Sequence, residues 1–188
     1  MAMPNAVTEW TVDLVDALPD DGQRYEIIDG ALFVTPPPSE LHQVVAGHLY
    51  SLIKSYLKGS SVGRPMISPS DVRKEDRTRT RVQPDVFVLR LRDRGRPAYP
   101  YSLDDLLLAV EIVSPGNPHL DYQVKRELYL RNGVSEYWVI NPDARNLSRW
   151  RNSTDPGEVL SERVEWHPTG MPAPFVIDLA TFFDEAFD

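Results

Sequence analysis

The 188-residue sequence predicts an α/β fold, an α+β mixed sheet flanked by helices, and three observations predict it. Segments of strand character alternate with segments of helical period, as in sheets covered by helices. The run "LLLAVEIVS", residues 106 to 114, is apolar on both faces except at Glu111 and the final serine, which suits a central strand buried on both sides. Hydrophobic residues make up 41% of the chain, enough for a proper core.

The elements follow in order. "VTEWTVDLVDALPDDG" reads as a short amphipathic helix with Trp10, Leu14 and Leu18 in one row, stopped by Pro19 and Gly22. "YEIIDGALFVTPPP" is two β-prone runs flanking Asp29-Gly30, the strongest short hairpin signal, with prolines closing the second run. "SELHQVVAGHLYSLIKSYLKG" is the clearest helix: Ser39 caps it, Leu41, Val45, Leu49, Leu52, Ile53 and Tyr56 form the apolar stripe, and Gly59 lies just beyond. "GRPMISPSDVRKED" is strand and loop, and "RVQPDVFVLR" a strand with both faces apolar. After the charged loop "RDRGRPAYPYSLDD" and the central strand, "HLDYQVKRELYLRNG" is a helix ending at Gly133. "SEYWVIN" and "ARNLSRWR" are strands, and the tail holds a strand and a short terminal helix. Length fits one domain, 1–188: a helix and lead-in over 1–24, a core over 25–150 and an extension over 151–188.

Composition excludes some chemistry. With no cysteine there are no disulfides, thiolate nucleophiles or thiolate metal sites. "MAMPNAVTEW" has neither the basic nor the apolar region of a secretory signal. No run approaches the roughly 18–20 apolar residues of a spanning helix, so no membrane and a cytoplasmic location are the expectation. A net charge of −8 argues against nonspecific nucleic-acid binding over the whole surface. It leaves room for a nuclease, whose metal-binding carboxylates are themselves negative. Two basic clusters, Arg73, Lys74, Arg77, Arg79 and Arg81, then Arg90, Arg92, Arg94 and Arg96, read either as solvated loops or as phosphate contacts. No glycine-rich phosphate loop occurs, and "VSPGN" around Ser114 is a turn rather than a nucleophile elbow. His48, His119 and His167 show no ligand spacing, and Trp138 and Trp150 fit the core.

One residue conflicts with its surroundings. A carboxylate in a buried strand costs several kcal/mol unless an arginine, a hydrogen-bond network or a metal ion compensates it. Glu111 is such a residue, sharing its side with Ala109 and Val113. Asp85, after Pro84 at the entry to "VFVL", could reach the same cation if the two strands are neighbours. Two carboxylates with water are the ligand set that Mg²⁺ or Mn²⁺ prefers. Lys125 sits one residue round from the row Leu120, Val124 and Leu128, and its stem can carry the ammonium to the strand ends. The alternative is a surface lysine touching Asp121 or Tyr129.

"YEIIDG", an early helical histidine (His42), "QPDVFVL", "LLLAVEIVSP" and "DYQVKRELYLRNGVSEYWVINPD" occur in this order over residues 25 to 150. Together they resemble the Uma family of restriction endonuclease-like proteins, a branch of the PD-(D/E)XK nuclease superfamily. The resemblance implies a restriction endonuclease-like core, Asp85 as the "PD" aspartate and Glu111 as the acid of the second motif. That superfamily places a lysine two residues after the acid, where this chain has Val113; Lys125, from the following helix, is the residue that matches related branches. On this reading Asp85, Glu111 and the Ile112 carbonyl hold Mg²⁺ or Mn²⁺, Lys125 stands beside the attacking water, and Glu26 binds a second metal or positions water. His42 bonds the scissile phosphate or a water, although capping or packing would also explain it; Gln83 is a polar edge residue. The expected activity is metal-dependent endonucleolytic hydrolysis of DNA, with the choice of DNA over RNA left open by the sequence, by a homodimer that presents one site to each strand. Two other readings compete: a nuclease-like module that binds nucleic acid or protein without cutting, and a carboxylate-pair glycosidase.

Overall fold

The computed structural model describes residues 9–74, 78–91, 99–113 and 116–187. The first eight residues, Arg77, Arg92, Arg94, Arg96 and the turn at Ser114 lie outside the described residues.

A short helix α1 (Val12–Asp16) leads into the hairpin β1 (Arg24–Ile28) and β2 (Ala31–Thr35). Asp29 and Gly30 both have positive φ (51° and 83°), the pair of left-handed residues that a two-residue hairpin turn requires. The long helix α2 (Glu40–Tyr56) begins at Ser39, whose hydroxyl accepts from the His42 N–H at 3.3 Å, and Gly59 beyond its end takes φ +79°. Strands β3 (Gly63–Ile67), β4 (Val72–Arg73), β5 (Arg81–Val82), β6 (Val86–Arg90) and β7 (Tyr101–Ser102) come next. They are followed by β8 (Leu106–Ile112), a helical segment Leu120–Arg131 whose second half is α3 (Arg126–Arg131), then β9 (Tyr137–Asn141) and β10 (Asn146–Trp150). The chain finishes with β11 (Glu158–Leu160), β12 (Arg163–Trp166), β13 (Phe175–Asp178) and α4 (Leu179–Phe187).

The strands form a six-stranded sheet, β11-β10-β9-β8-β6-β3, and a five-stranded sheet, β2-β1-β5-β4-β7, beside the β12–β13 pair. Both larger sheets are mixed: β8 runs parallel to β9, and β4 to β7, while the remaining pairs are antiparallel. Every residue of β8 is buried, as its composition demands for an interior strand. Val86, Val88, Leu108 and Val110 pack with α2 and α4 on one face, while Phe87, Leu89 and Ala109 pack with the Leu120–Arg131 helix on the other.

Two expectations need correction. The row Trp10, Leu14 and Leu18 does not form, because α1 has only five residues; Val12 and Val15 are buried against Ile27, and Leu14 is exposed. "RVQPDVFVLR" is not one strand either. It breaks at Gln83–Asp85, sending β5 into the smaller sheet and β6 into the larger. Pro84, with no N–H to give a ladder, sits in the break. Of the first basic cluster, Arg73, Arg79 and Arg81 are ion-paired with Asp71, Glu9 and Asp16, so these charges are met within the protein.

Candidate active site

Breaking the strand at Pro84 leaves Asp85 one step before β6. The ladder pairs Val86 with Val110, so the next position sets Asp85 opposite Glu111, on the same face of the sheet. Asp85 is held on all sides. Its Oδ1 accepts from Arg24 Nη1 at 2.8 Å, and its Oδ2 lies 2.9 Å from His42 Nε2 and accepts from the Ile112 N–H at 2.8 Å. Burial would raise its pKa, but the His42 hydrogen bond and the Arg24 charge outweigh burial and hold it below the usual carboxylate range.

Lys125 is not a surface residue. Its side chain is 2% exposed, with Nζ at 2.9 Å from Glu26 Oε2, 3.1 Å from Glu111 Oε2 and 3.9 Å from Asp121 Oδ1. The local backbone explains why. Leu120–Lys125 is wound as a π-helix, whose wider turn brings residues five apart onto one side. Leu120 and Lys125 both point inward, and Val124, expected in the buried row, is displaced to a half-buried position. Burial alone would lower the lysine's pKa, but Glu111, Glu26 and Asp121 together raise it and keep the ammonium charged.

Glu111 Oε1 accepts from the Tyr129 hydroxyl at 2.8 Å, and Glu26 Oε1 from the Gln83 N–H at 2.8 Å. Glu26 Oε2 is buried and paired with Lys125, yet no directed hydrogen bond reaches it. Burial pushes Glu111 well above its ordinary value against the pull of Lys125, with Asp85 and Glu26 adding to the rise. Asp121 is likewise pushed up, by burial first, to about 6.

The residues picked out in the sequence therefore converge: Glu26, His42, Asp85, Glu111, Ile112 and Lys125 all border one pocket of about 160 Å³. Ile112 reaches Asp85 through its N–H. Gln83 bonds Glu26 and, through its side chain, Asp71 at 2.9 Å. Sequence reasoning missed Arg24, Asp121 and Tyr129 as members of the cluster. Arg24 stands two residues before Glu26 on the same strand face, and Asp121 and Tyr129 lie one helical turn either side of Lys125, so spacing offered a signal for each.

The donor set suits a hard cation in kind, because it is all oxygen and carries surplus charge. At full ionisation four carboxylates (Glu26, Asp85, Glu111, Asp121) face Arg24 and Lys125, leaving two negative charges over, with His42 outside the count. Among the described residues no three His, Asp or Glu side chains form a ready-made cage, since the cationic side chains stand between the acids.

Comparison with known proteins gives the family and the fold. The Uma2 profile, described as "Putative restriction endonuclease", matches residues 12–179. The chain belongs to the Uma2 family. Residues 12–179 include both sheets' site-bearing strands and the whole lysine helix. The Uma2 chain is also similar to a solved structure from Anabaena variabilis ATCC 29413, described as a "putative nuclease belonging to DUF820". The two are 21% identical, the TM-score is 0.74, and the match covers 94% of this chain and 98% of the other. The fold is thus that of a restriction endonuclease-like protein. No curated protein matches the chain. Among the described residues no helix is long and apolar enough to cross a membrane.

Proposed function

We propose that this Uma2 protein is a divalent-metal-dependent endonuclease that hydrolyses DNA phosphodiester bonds in the pocket bordered by Asp85, Glu111 and Lys125. One observation carries the reading: four buried acids from two sheets and a helix converge on only two cationic side chains and border a pocket beside a buried lysine. A fold gains nothing from such an excess, whereas a cation-binding site needs it.

Asp85 and Glu111, with the Ile112 carbonyl, would hold Mg²⁺ or Mn²⁺, and Glu26 would bind a second ion or orient water. The metal, when bound, supplies a Lewis acid that polarises the phosphoryl oxygen and eases deprotonation of water. Lys125 orients the attacking water and offsets the charge that grows on the phosphoryl oxygens. Tyr129 fixes the Glu111 carboxylate through its hydroxyl, and His42 does the same for Asp85. His42 also borders the open side, where its ring can meet the scissile phosphate. Water attacks phosphorus, the ester bond to the leaving oxygen breaks, and that oxygen takes up a proton. Two copies of the chain would serve the two strands of a duplex.

A second reading, a nuclease-like module that binds without cutting, draws on the contacts of Arg24 with Asp85 and of Lys125 with Glu111. Nicking of a supercoiled plasmid in Mg²⁺ or Mn²⁺ decides between them. Cleavage by the wild type, abolished in Asp85→Ala and Glu111→Ala proteins that still fold, is the expected result. A wild-type protein that cuts neither DNA nor RNA in either metal overturns the nuclease reading and leaves the binding module.

A further inference from the structure

Next to the acidic pocket lies a larger and more open one of about 470 Å³. Arg24, His42 and Asp85 belong to the walls of both, so the two cavities meet at these side chains. We propose that the larger cavity is a subsite for one unstacked nucleotide adjoining the scissile phosphate, so that the enzyme acts on DNA with an unpaired or extruded nucleotide at the cut. This inference rests on the nuclease reading and names its substrate class.

Size comes first. The cavity falls within the roughly 300–1,000 Å³ of small-ligand pockets, enough for a base with its sugar but not for a duplex. Its chemistry fits the same guest. The rings of Pro37, Pro38 and Pro69 and the side chain of Ile67 give apolar surface for the base faces. Gln43 projects from the first turns of α2 at an exposed position, and no hydrogen bond engages its side-chain amide among the described residues. An amide with both a donor and an acceptor to offer suits a base edge.

The junction between the cavities supplies the phosphate end. Arg24 spends Nη1 on Asp85 and the Gln83 carbonyl, at 2.8 and 3.3 Å, and among the described residues is the one Arg or Lys in the wall of the larger cavity. The N-terminus of the 17-residue helix α2 opens onto the same wall through Pro38 and His42. Its dipole favours an anion there. A phosphate at the junction thus touches the acidic pocket on one side and directs its nucleotide into the larger cavity on the other. A nucleotide can enter only by leaving the base stack, which costs little when it is unpaired.

The test uses the full chain and two variants outside the acid cluster. Gln43→Ala removes the amide, and Gln43→Glu keeps the shape while adding a charge that helix position tolerates. Three labelled DNAs of one sequence are compared: paired duplex, duplex with a single-nucleotide bulge, and single strand. Wild-type protein is expected to cut the bulged and single-stranded forms about tenfold faster than the duplex, the scale of one base contact. Gln43→Ala should erase most of that preference with duplex cutting and thermal midpoint unchanged. Anisotropy with a short oligothymidine in EDTA should show about tenfold weaker binding by Gln43→Glu. Equal cutting of all three DNAs, or full preference and binding in both variants, overturns the subsite while the nuclease stands. Absence of both cutting and oligothymidine binding by wild type removes the two proposals together.

Discussion

Among the described residues two groups of charged side chains are built around a buried cation, Arg149 or Lys125, and they are balanced differently. In one, Arg149 on β10 donates to Glu158 from Nε and Nη2, at 2.9 and 2.6 Å, and to the Glu165 carbonyl at 2.7 Å. Glu136 lies 3.5 Å from the same guanidinium and accepts from Trp138 Nε1 at 2.8 Å, while Arg151 joins Glu158 at 2.9 Å. Two acids meet two bases, and the network closes. The other group surrounds Lys125, where the acids exceed the bases by two. Burial of charge therefore does not by itself mark a site. Burial without electrical closure does, because the surplus has to be met by a proton, which the raised Glu111 favours, or by an arriving cation.

The largest test of that contrast removes the central cation. Lys125→Met leaves Glu26, Glu111 and Asp121 buried without their nearest cation, with Arg24 alone facing the cluster. We expect a loss of about 3–5 kcal/mol in urea unfolding at pH 7. Mn²⁺ should restore part of that loss, raising the variant's midpoint more than the wild type's. A variant as stable as wild type would mean that the acids are not charged together, and the surplus would not exist.

Arg149→Met probes the closed network in the same assay. Glu136 keeps its bond from Trp138, and Glu158 is partly open to water, so the expected loss is smaller, about 2 kcal/mol. Mn²⁺ should not reverse it. Equal metal rescue in the two variants would erase the distinction between the groups.

How much of this was legible depends on whether a feature is local. The Asp29-Gly30 turn, the Ser39 cap and the all-apolar β8 are short-range chemistry, and each occurs where the residues dictate. The convergence of Asp85, Glu111 and Lys125 was approachable because a carboxylate in an apolar strand demands a partner, whereas Glu26 entered only through the family resemblance. The winding that delivers Lys125 was not. A π-turn changes the helical period without changing composition, so a 3.6-residue pattern assigned Val124 to the buried row and Lys125 to its edge. Nor could sequence show that "RVQPDVFVLR" divides between two sheets, which depends on what lies beside each half. Arg24 was overlooked for a related reason: an arginine at the start of a strand is ordinary until Asp85, 61 positions away, is found against it.

Neutralising one of the surplus acids sharpens the comparison from the opposite side. Glu111→Gln keeps the shape and removes a charge. The amide can turn its oxygen to Lys125 and its NH₂ to the Tyr129 oxygen, which reverses that contact and leaves the Tyr129 O–H to find another acceptor. We expect stability to rise by about 1 kcal/mol while DNA nicking is lost. A clear loss of stability would show that the Glu111 charge is needed for folding, and the cluster would then resemble the closed network.

The smallest effect belongs to the rim of that network. Hydrogen bonds from Arg149 hold the Glu158 carboxyl below its ordinary 4.5. A carboxyl with a depressed folded-state value binds its proton more readily when unfolded. Its contribution is therefore complete above pH 4.5 and is lost as pH falls through the folded value. Because Glu158 is 40% exposed, solvent screening limits that contribution to no more than about 1 kcal/mol. Glu158→Gln should lower the urea midpoint slightly at pH 7, and the gap from wild type should close as pH drops below 4.5. A gap that persists in acid would assign the effect to packing rather than charge, and the network would owe its stability to shape.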